Sequence, residues 1–139
     1  MDWLDINKQV IEEFRANDGK VSGQLEGLPV VLVTMTGAKS GRKLCSPLVY
    51  STDNDDVVII ASKGGAPEDP NWYYNLVANP TIIVEIGSEK WEAIAHLTEG
   101  DERTRLYDAQ AADQPQFLQY AANAAETGRV IPVFRLVRS

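Results

Sequence analysis

Hydrophobic positions along the chain follow two different rhythms. Near the start, Trp3, Ile6, Val10 and Phe14 recur at steps of three and four, with Asp2 and Asp5 early and Gly19 just beyond. That spacing predicts an amphipathic helix laying one stripe on a core. The rhythm then shortens: Val30 to Thr36 is a β-branched run of strand length, closed by Gly37. Cys45 to Tyr50 and Val57 to Ala61 flank Asp53-Asn54-Asp55-Asp56, predicting two strands joined by a hairpin turn. Pro47 inside the first of them calls for a bulge or an edge position. Thr81 to Ile86 and Trp91 to Leu97, around Gly87-Ser88, predict a second tight hairpin.

Helical segments separate these hairpins. Asp69 as N-cap and Pro70 as first helical residue predict a helix through Asn71 to about Ala78, stopped by Asn79-Pro80. From Glu99 to about Thr127 the chain is rich in Ala, Gln and Glu, predicting one helix centred on Leu106 and another begun by Pro115 and ended by Gly128. Ile131 to Val137 predicts a last strand despite Pro132. About six strands joined as hairpins, with three or four helices around them, predict an antiparallel barrel of the α+β class. Repeats, low-complexity stretches and a domain linker are all absent from the pattern.

Composition narrows the picture. At 139 residues and 44% hydrophobic content, a single domain over 1–139 has core enough to fold without staples. Cys45 cannot form an internal disulfide, and with His96 as the lone histidine no four-ligand zinc site is available, so no metal is expected. Thirteen Lys and Arg against 20 Asp and Glu, a net charge of −7, oppose nucleic-acid binding. The acidic start lacks the regions of a secretory signal, and no stretch approaches the roughly 18 apolar residues of a membrane span. A cytoplasmic location is expected.

Candidate chemistry begins where the acids stop. Between Glu26 and Asp53 there is no carboxylate, while Lys39, Arg42 and Lys43 share one glycine-containing turn after a strand. Thr36-Gly37-Ala38-Lys39-Ser40-Gly41-Arg42 offers glycine-freed N–H groups, a hydroxyl and cations, the donors a phosphate takes. It lacks Walker spacing, and an ordinary solvated turn is an equal alternative. Ala61-Ser62-Lys63-Gly64-Gly65-Ala66-Pro67 runs a strand into a lysine and paired glycines, which let backbone approach a ligand; a flexible connection is the plainer reading. Trp72, Tyr73 and Tyr74 open a helix at one-residue steps and so cannot share a face. One or two belong in the core, leaving another to border a pocket near the helix-start amides. His96, Cys45 and Tyr107 read as packing residues, and without a Gly-x-Ser-x-Gly elbow covalent hydrolysis is disfavoured.

Together these segments resemble the deazaflavin-dependent nitroreductase family, whose members bind coenzyme F420 in a split β-barrel related to the FMN-binding pyridoxamine-phosphate-oxidase fold. The resemblance runs from Val10-Ile11-Glu12-Glu13-Phe14-Arg15-Ala16-Asn17 through the Thr36 to Gly41 turn and Pro47-Leu48-Val49-Tyr50. It is strongest over Ala61 to Pro67 and Pro70 to Pro80, and closes on Ile131-Pro132-Val133. It implies F420 as cofactor, with FMN as the alternative, and hydride transfer to a small planar electron-poor acceptor such as a quinone, nitroaromatic or enone. An FMN-dependent split-barrel oxidoreductase and a non-catalytic deazaflavin carrier are the rival readings. By the same resemblance the Lys39-Ser40-Gly41 turn and the Lys63-Gly64-Gly65 loop cradle the phosphate, with Lys39 and Lys63 as its anion contacts and Arg42 or Lys43 reaching it from a neighbouring position. Pro47, Leu48 and Val49 line the ring, with Ser62, Trp72 and Asn75 near the same pocket. Tyr50 and Tyr120 are substrate-side candidates, Phe117 an apolar neighbour. The family pattern usually has an arginine where this chain has Leu44. Relatives occur as monomers or homodimers, and Trp3 with Leu4 leaves peripheral contact with the inner face of a membrane open.

Overall fold

Each strand pairs antiparallel with its neighbours, and the pairing closes on itself. The computed structural model describes residues 3–139, without the side chains of residues 3–6 and of Gln24. Asp2, and the side chains of Trp3, Leu4 and Ile6 on which the first helix's stripe and any membrane contact were read, therefore lie outside the described part. The order is α1 (Trp3–Ala16), β1 (Val30–Thr36), β2 (Lys43–Asp53), β3 (Asp56–Ile60), α2 (Asn71–Ala78), β4 (Thr81–Ile86), β5 (Glu89–Leu97), α3 (Gly100–Asp113), α4 (Gln116–Ala125) and β6 (Val133–Arg138). One-turn 3-10 helices occupy Gly23–Leu25 and Lys63–Gly65. Round the barrel the strands run β1-β2-β3-β6-β5-β4, so the last strand enters between β3 and β5.

Side-chain alternation explains why β1 from Val30 to Val33 and β3 from Val57 to Ile60 are apolar without a break. On β3, Val57 and Ile59 point into the barrel with Met35, Val84, Ala95 and Phe134, while Val58 and Ile60 point outward under Leu106, Tyr107, Phe117 and Ala124 of α3 and α4. On β1, Val31 and Val33 face the interior, while Val30 and Leu32 meet Phe14 of α1. Both faces of each strand are covered, so the period-two signal of a half-exposed strand is lost. Arg15 fixes the outside of the barrel to α1 through a fork on Glu85 at 2.9 and 3.2 Å. Tyr107 Oη joins α3 to α4 by donating to the Phe117 carbonyl at 2.6 Å, and burial pushes its phenol pKa up.

The six strands, the four α-helices and the hairpin positions agree with the sequence reading; some boundaries do not. β2 extends past Cys45 and Tyr50 at both ends. Pro47 pairs with Leu32 on one side, whereas β3 joins β2 only from Tyr50 onward, so the proline occupies a local edge and no bulge is needed. The Asn54-Asp55 turn has positive φ at both residues, 49° and 72°, as a tight hairpin requires. Ile131 and Pro132 precede β6; the Pro132 carbonyl still accepts the Ala61 N–H at 2.9 Å. Pro70, with ψ 157°, is the N-cap of α2 and not its first residue. Asp69, expected to cap, is instead turned onto Arg129. Among the described residues no helix is long and apolar enough to cross a membrane.

Candidate functional site

The turn between β1 and β2 is built by its own backbone. Gly37 N–H donates to the Arg42 carbonyl at 2.8 Å, Gly41 N–H to the Gly37 carbonyl at 3.0 Å, and Ser40 Oγ accepts the Arg42 N–H at 3.2 Å. Gly41 holds a φ of 70° that a side chain would resist. Lys39, Ser40, Gly41, Arg42 and Lys43 are all exposed, and Lys43 Nζ donates to Thr36 Oγ1 at 2.9 Å. Ser40 thus shapes the turn, leaving Lys39 and Arg42 as its outward cations. Leu44, at the family's arginine position, is 40% exposed.

The second loop leaves β3 and enters α2. Lys63 has a φ of 48°, followed by Gly64 at 65° and Gly65 at 83°. The two glycines have different reasons. A Cβ on Gly64 would meet nothing within 4 Å, whereas one on Gly65 would collide with the Tyr120 carbonyl oxygen and lie 2.7 Å from Asn123 Cβ. Gly65 is therefore glycine because α4 presses on it, a reason that neither ligand approach nor a flexible connection supplies. Lys63 Nζ sits 3.3 Å from Glu68, a pair with both side chains largely in solvent.

Helix α2 connects the two loops. Asn75 Oδ1 accepts the Ala38 N–H at 2.9 Å, and Asn79 Nδ2 donates to the Thr36 carbonyl at 3.3 Å, docking the Lys39 turn on the helix that follows the Lys63 loop. Trp72 and Tyr73 lie with ring centroids 5.9 and 5.8 Å from Phe134, while Tyr74 is 51% exposed. Two aromatics are thus core and one faces out, as the one-residue spacing required. On β2, Leu48 and Tyr50 pack on the barrel interior, and alternation gives Pro47 and Val49 the opposite face. Tyr120 belongs to the outer cluster under α3 and α4, its ring 5.2 Å from Phe117. The two candidate phenols are not brought together. Cys45 packs beside the Phe14 cluster, and burial pushes its thiol pKa up; His96 is exposed.

Two shallow cavities, of about 100 Å³ beside Lys43 and Glu92 and about 230 Å³ beside Arg15 and Lys90, include neither Lys39 nor Lys63. Both are smaller than the roughly 300 Å³ at which ligand pockets begin. Lys39, Arg42 and Lys63 lie exposed to solvent. The donors there, exposed ammonium and guanidinium groups on a carboxylate-free turn with glycine backbone, match a phosphate-bearing coenzyme. Among the described residues no cluster of three metal-ligating side chains exists.

One residue escaped the sequence reading. Arg129, after the helix-ending Gly128, has its side chain only 8% exposed and reaches back over the second loop. Its sole sequence signal is a cation placed between a stop glycine and an apolar strand. Its partners lie about sixty residues upstream, beyond any local pattern.

Residues 6–138 match the family described as F420H(2)-dependent quinone reductase. An F420H(2)-dependent quinone reductase of Mycobacterium tuberculosis is 31% identical over 126 residues, 90% of this chain and 85% of that protein. A solved F420-H2 dependent reductase superposes with a TM-score of 0.70 at 39% identity, covering 78% of this chain and 93% of that one. A solved domain-swapped dimer gives 0.72 at 36% identity over 97% of both chains. A pyridoxamine 5'-phosphate oxidase-like structure from Listeria innocua, 14% identical with a TM-score of 0.55 over 80% of this chain and 84% of that one, shares the fold.

Proposed function

Since this chain belongs to the F420H(2)-dependent quinone reductase family, we propose that its Lys39 turn, Lys63 loop and helix α2 form the face that holds coenzyme F420. The observation that carries this reading is the docking of a carboxylate-free, cationic turn onto α2 by Asn75. Two cationic loops, 24 residues apart by number, are thereby tied to one short helix. Bound and reduced, the coenzyme supplies the hydride, and this explains why no triad or metal is needed.

The protein's own part is binding and orientation. Lys39, Arg42 and Lys63 neutralise the phosphate, while Gly41 and Gly64 leave the backbone uncovered on the ligand side. Ser40, Lys43, Ser62, Gly65 and Asn75 set the shape of the two loops. Pro47 and Val49, on the outward face of β2, supply the apolar wall, Leu48 and Trp72 back it from the barrel interior, and Tyr50 or Tyr120 orients the acceptor or returns a proton to it. The acceptor is a planar electron-poor molecule, a quinone before a nitroaromatic or enone, on the strength of the family's name. The domain-swapped dimer at 36% identity supports a homodimer, which light scattering measures.

The test is fluorescence titration with oxidised F420, FMN serving as competitor. Selective F420 binding is expected, and Lys39→Ala and Lys63→Ala are each expected to weaken it about tenfold, the worth of one charge-assisted contact. Unchanged affinity in both variants would remove the phosphate assignment. Repeated turnover of a quinone by F420H2 separates the enzyme from a carrier.

A further inference from the structure

We infer that Arg129 is a positioning residue for coenzyme binding, holding the Lys63 loop from behind so that its backbone N–H groups face the phosphate; this rests on the reading that the Lys63 loop contacts that phosphate. The guanidinium gathers carbonyls. Nη1 donates to Ser62 at 2.9 Å and Ala66 at 2.7 Å, Nη2 donates to Ala61, and Nε donates to Asp69 Oδ1 at 2.9 Å. One side chain therefore fixes the end of β3, both ends of the loop and the entry to α2.

Peptide geometry turns this into a statement about donors. Across a trans peptide the C=O and the following N–H point in opposite directions. With the Ala61 and Ser62 carbonyls drawn onto Arg129, the N–H groups of Ser62 and Lys63 point away from it. Among the described residues neither has a protein acceptor. Ser62 is right-handed helical (φ −73°, ψ −45°) and Lys63 has φ 48°, the alternation that makes successive N–H groups converge into an anion-binding concavity. Arg129 also keeps its own place, its N–H bonded to the Ala124 carbonyl at the end of α4. That helix is the one whose carbonyl presses on Gly65. The loop is clamped on one side by the guanidinium and on another by α4.

The prediction concerns coupling and not merely loss. If Arg129 acts through the loop, its loss misplaces both the N–H groups and the Lys63 ammonium, so Lys63→Ala should weaken F420 about tenfold, Arg129→Gln by more than tenfold, and the double variant by no more than Arg129→Gln alone, well short of the product that independent sites would give. Arg129→Lys, which keeps the charge but not the fork, should fall between Gln and wild type. In wild-type protein, amide exchange at Ser62 and Lys63 should slow when oxidised F420 is added. This last measurement stands even if the Gln variant fails to fold. Wild-type affinity in Arg129→Gln, full additivity with Lys63→Ala, or no amide protection at these two residues would overturn the inference. Wild-type affinity in Lys63→Ala would instead overturn the reading beneath it.

Discussion

At the scale of single residues, the proposed phosphate site turns on an ammonium group that already has a partner. Lys63 Nζ is paired with Glu68 at 3.3 Å, and a phosphate approaching the loop must compete with that carboxylate. Exposed pairs of this kind contribute little, about 0.2–1 kcal/mol. Glu68→Gln is therefore expected to tighten F420 binding by about two- to fivefold, most clearly at low ionic strength. A weaker complex at low salt would show that Glu68 helps the site. As candidates, Lys39 and Arg42 are legible in the sequence because acids vanish between Glu26 and Asp53, and Lys63 because paired glycines follow it. Their neighbours are not: Glu68 is an ordinary surface acid until the loop folds back, and Asp69 looks like a cap until Arg129 is placed beside it.

At the scale of elements, the helix α2 and both hairpins could be drawn from sequence because proline, glycine and asparagine punctuate them locally. What sequence could not supply is which element presses on which. Gly64 and Gly65 are identical letters, yet only Gly65 lies under the Tyr120 carbonyl of α4. Gly65→Ala is expected to cost about 2–3 kcal/mol, combining an unfavourable positive φ with overpacking against helix backbone. Gly64→Ala, with φ 65° but open space around it, should cost only about 1 kcal/mol. Urea unfolding of the two variants checks the ordering. Equal losses would mean that α4 is not seated on the loop in solution.

At the scale of the whole molecule, the barrel is closed by charge as well as by strand pairing. Arg135 of β6 donates to Asp53 Oδ2 at 2.8 Å and Asp56 Oδ2 at 3.0 Å, and Arg105 of α3 also grips Asp53 at 2.9 Å. These guanidiniums hold the Asp53 carboxyl at about 2, below its ordinary 3.8. A carboxyl depressed on folding stabilises the native state above its unfolded pKa and loses that contribution as pH falls toward the folded one. The stability gap between wild type and Asp53→Asn should accordingly be largest above pH 4 and shrink between about pH 4 and 2. Urea unfolding at several pH values measures it; a gap independent of pH would remove Asp53 from the acid limb. The position of β6 has a consequence for synthesis. Ribosomes deliver Val133–Arg138 after all the strands it must join, so each nascent chain carries β3 and β5 with open hydrogen-bonding edges until that segment clears the exit tunnel.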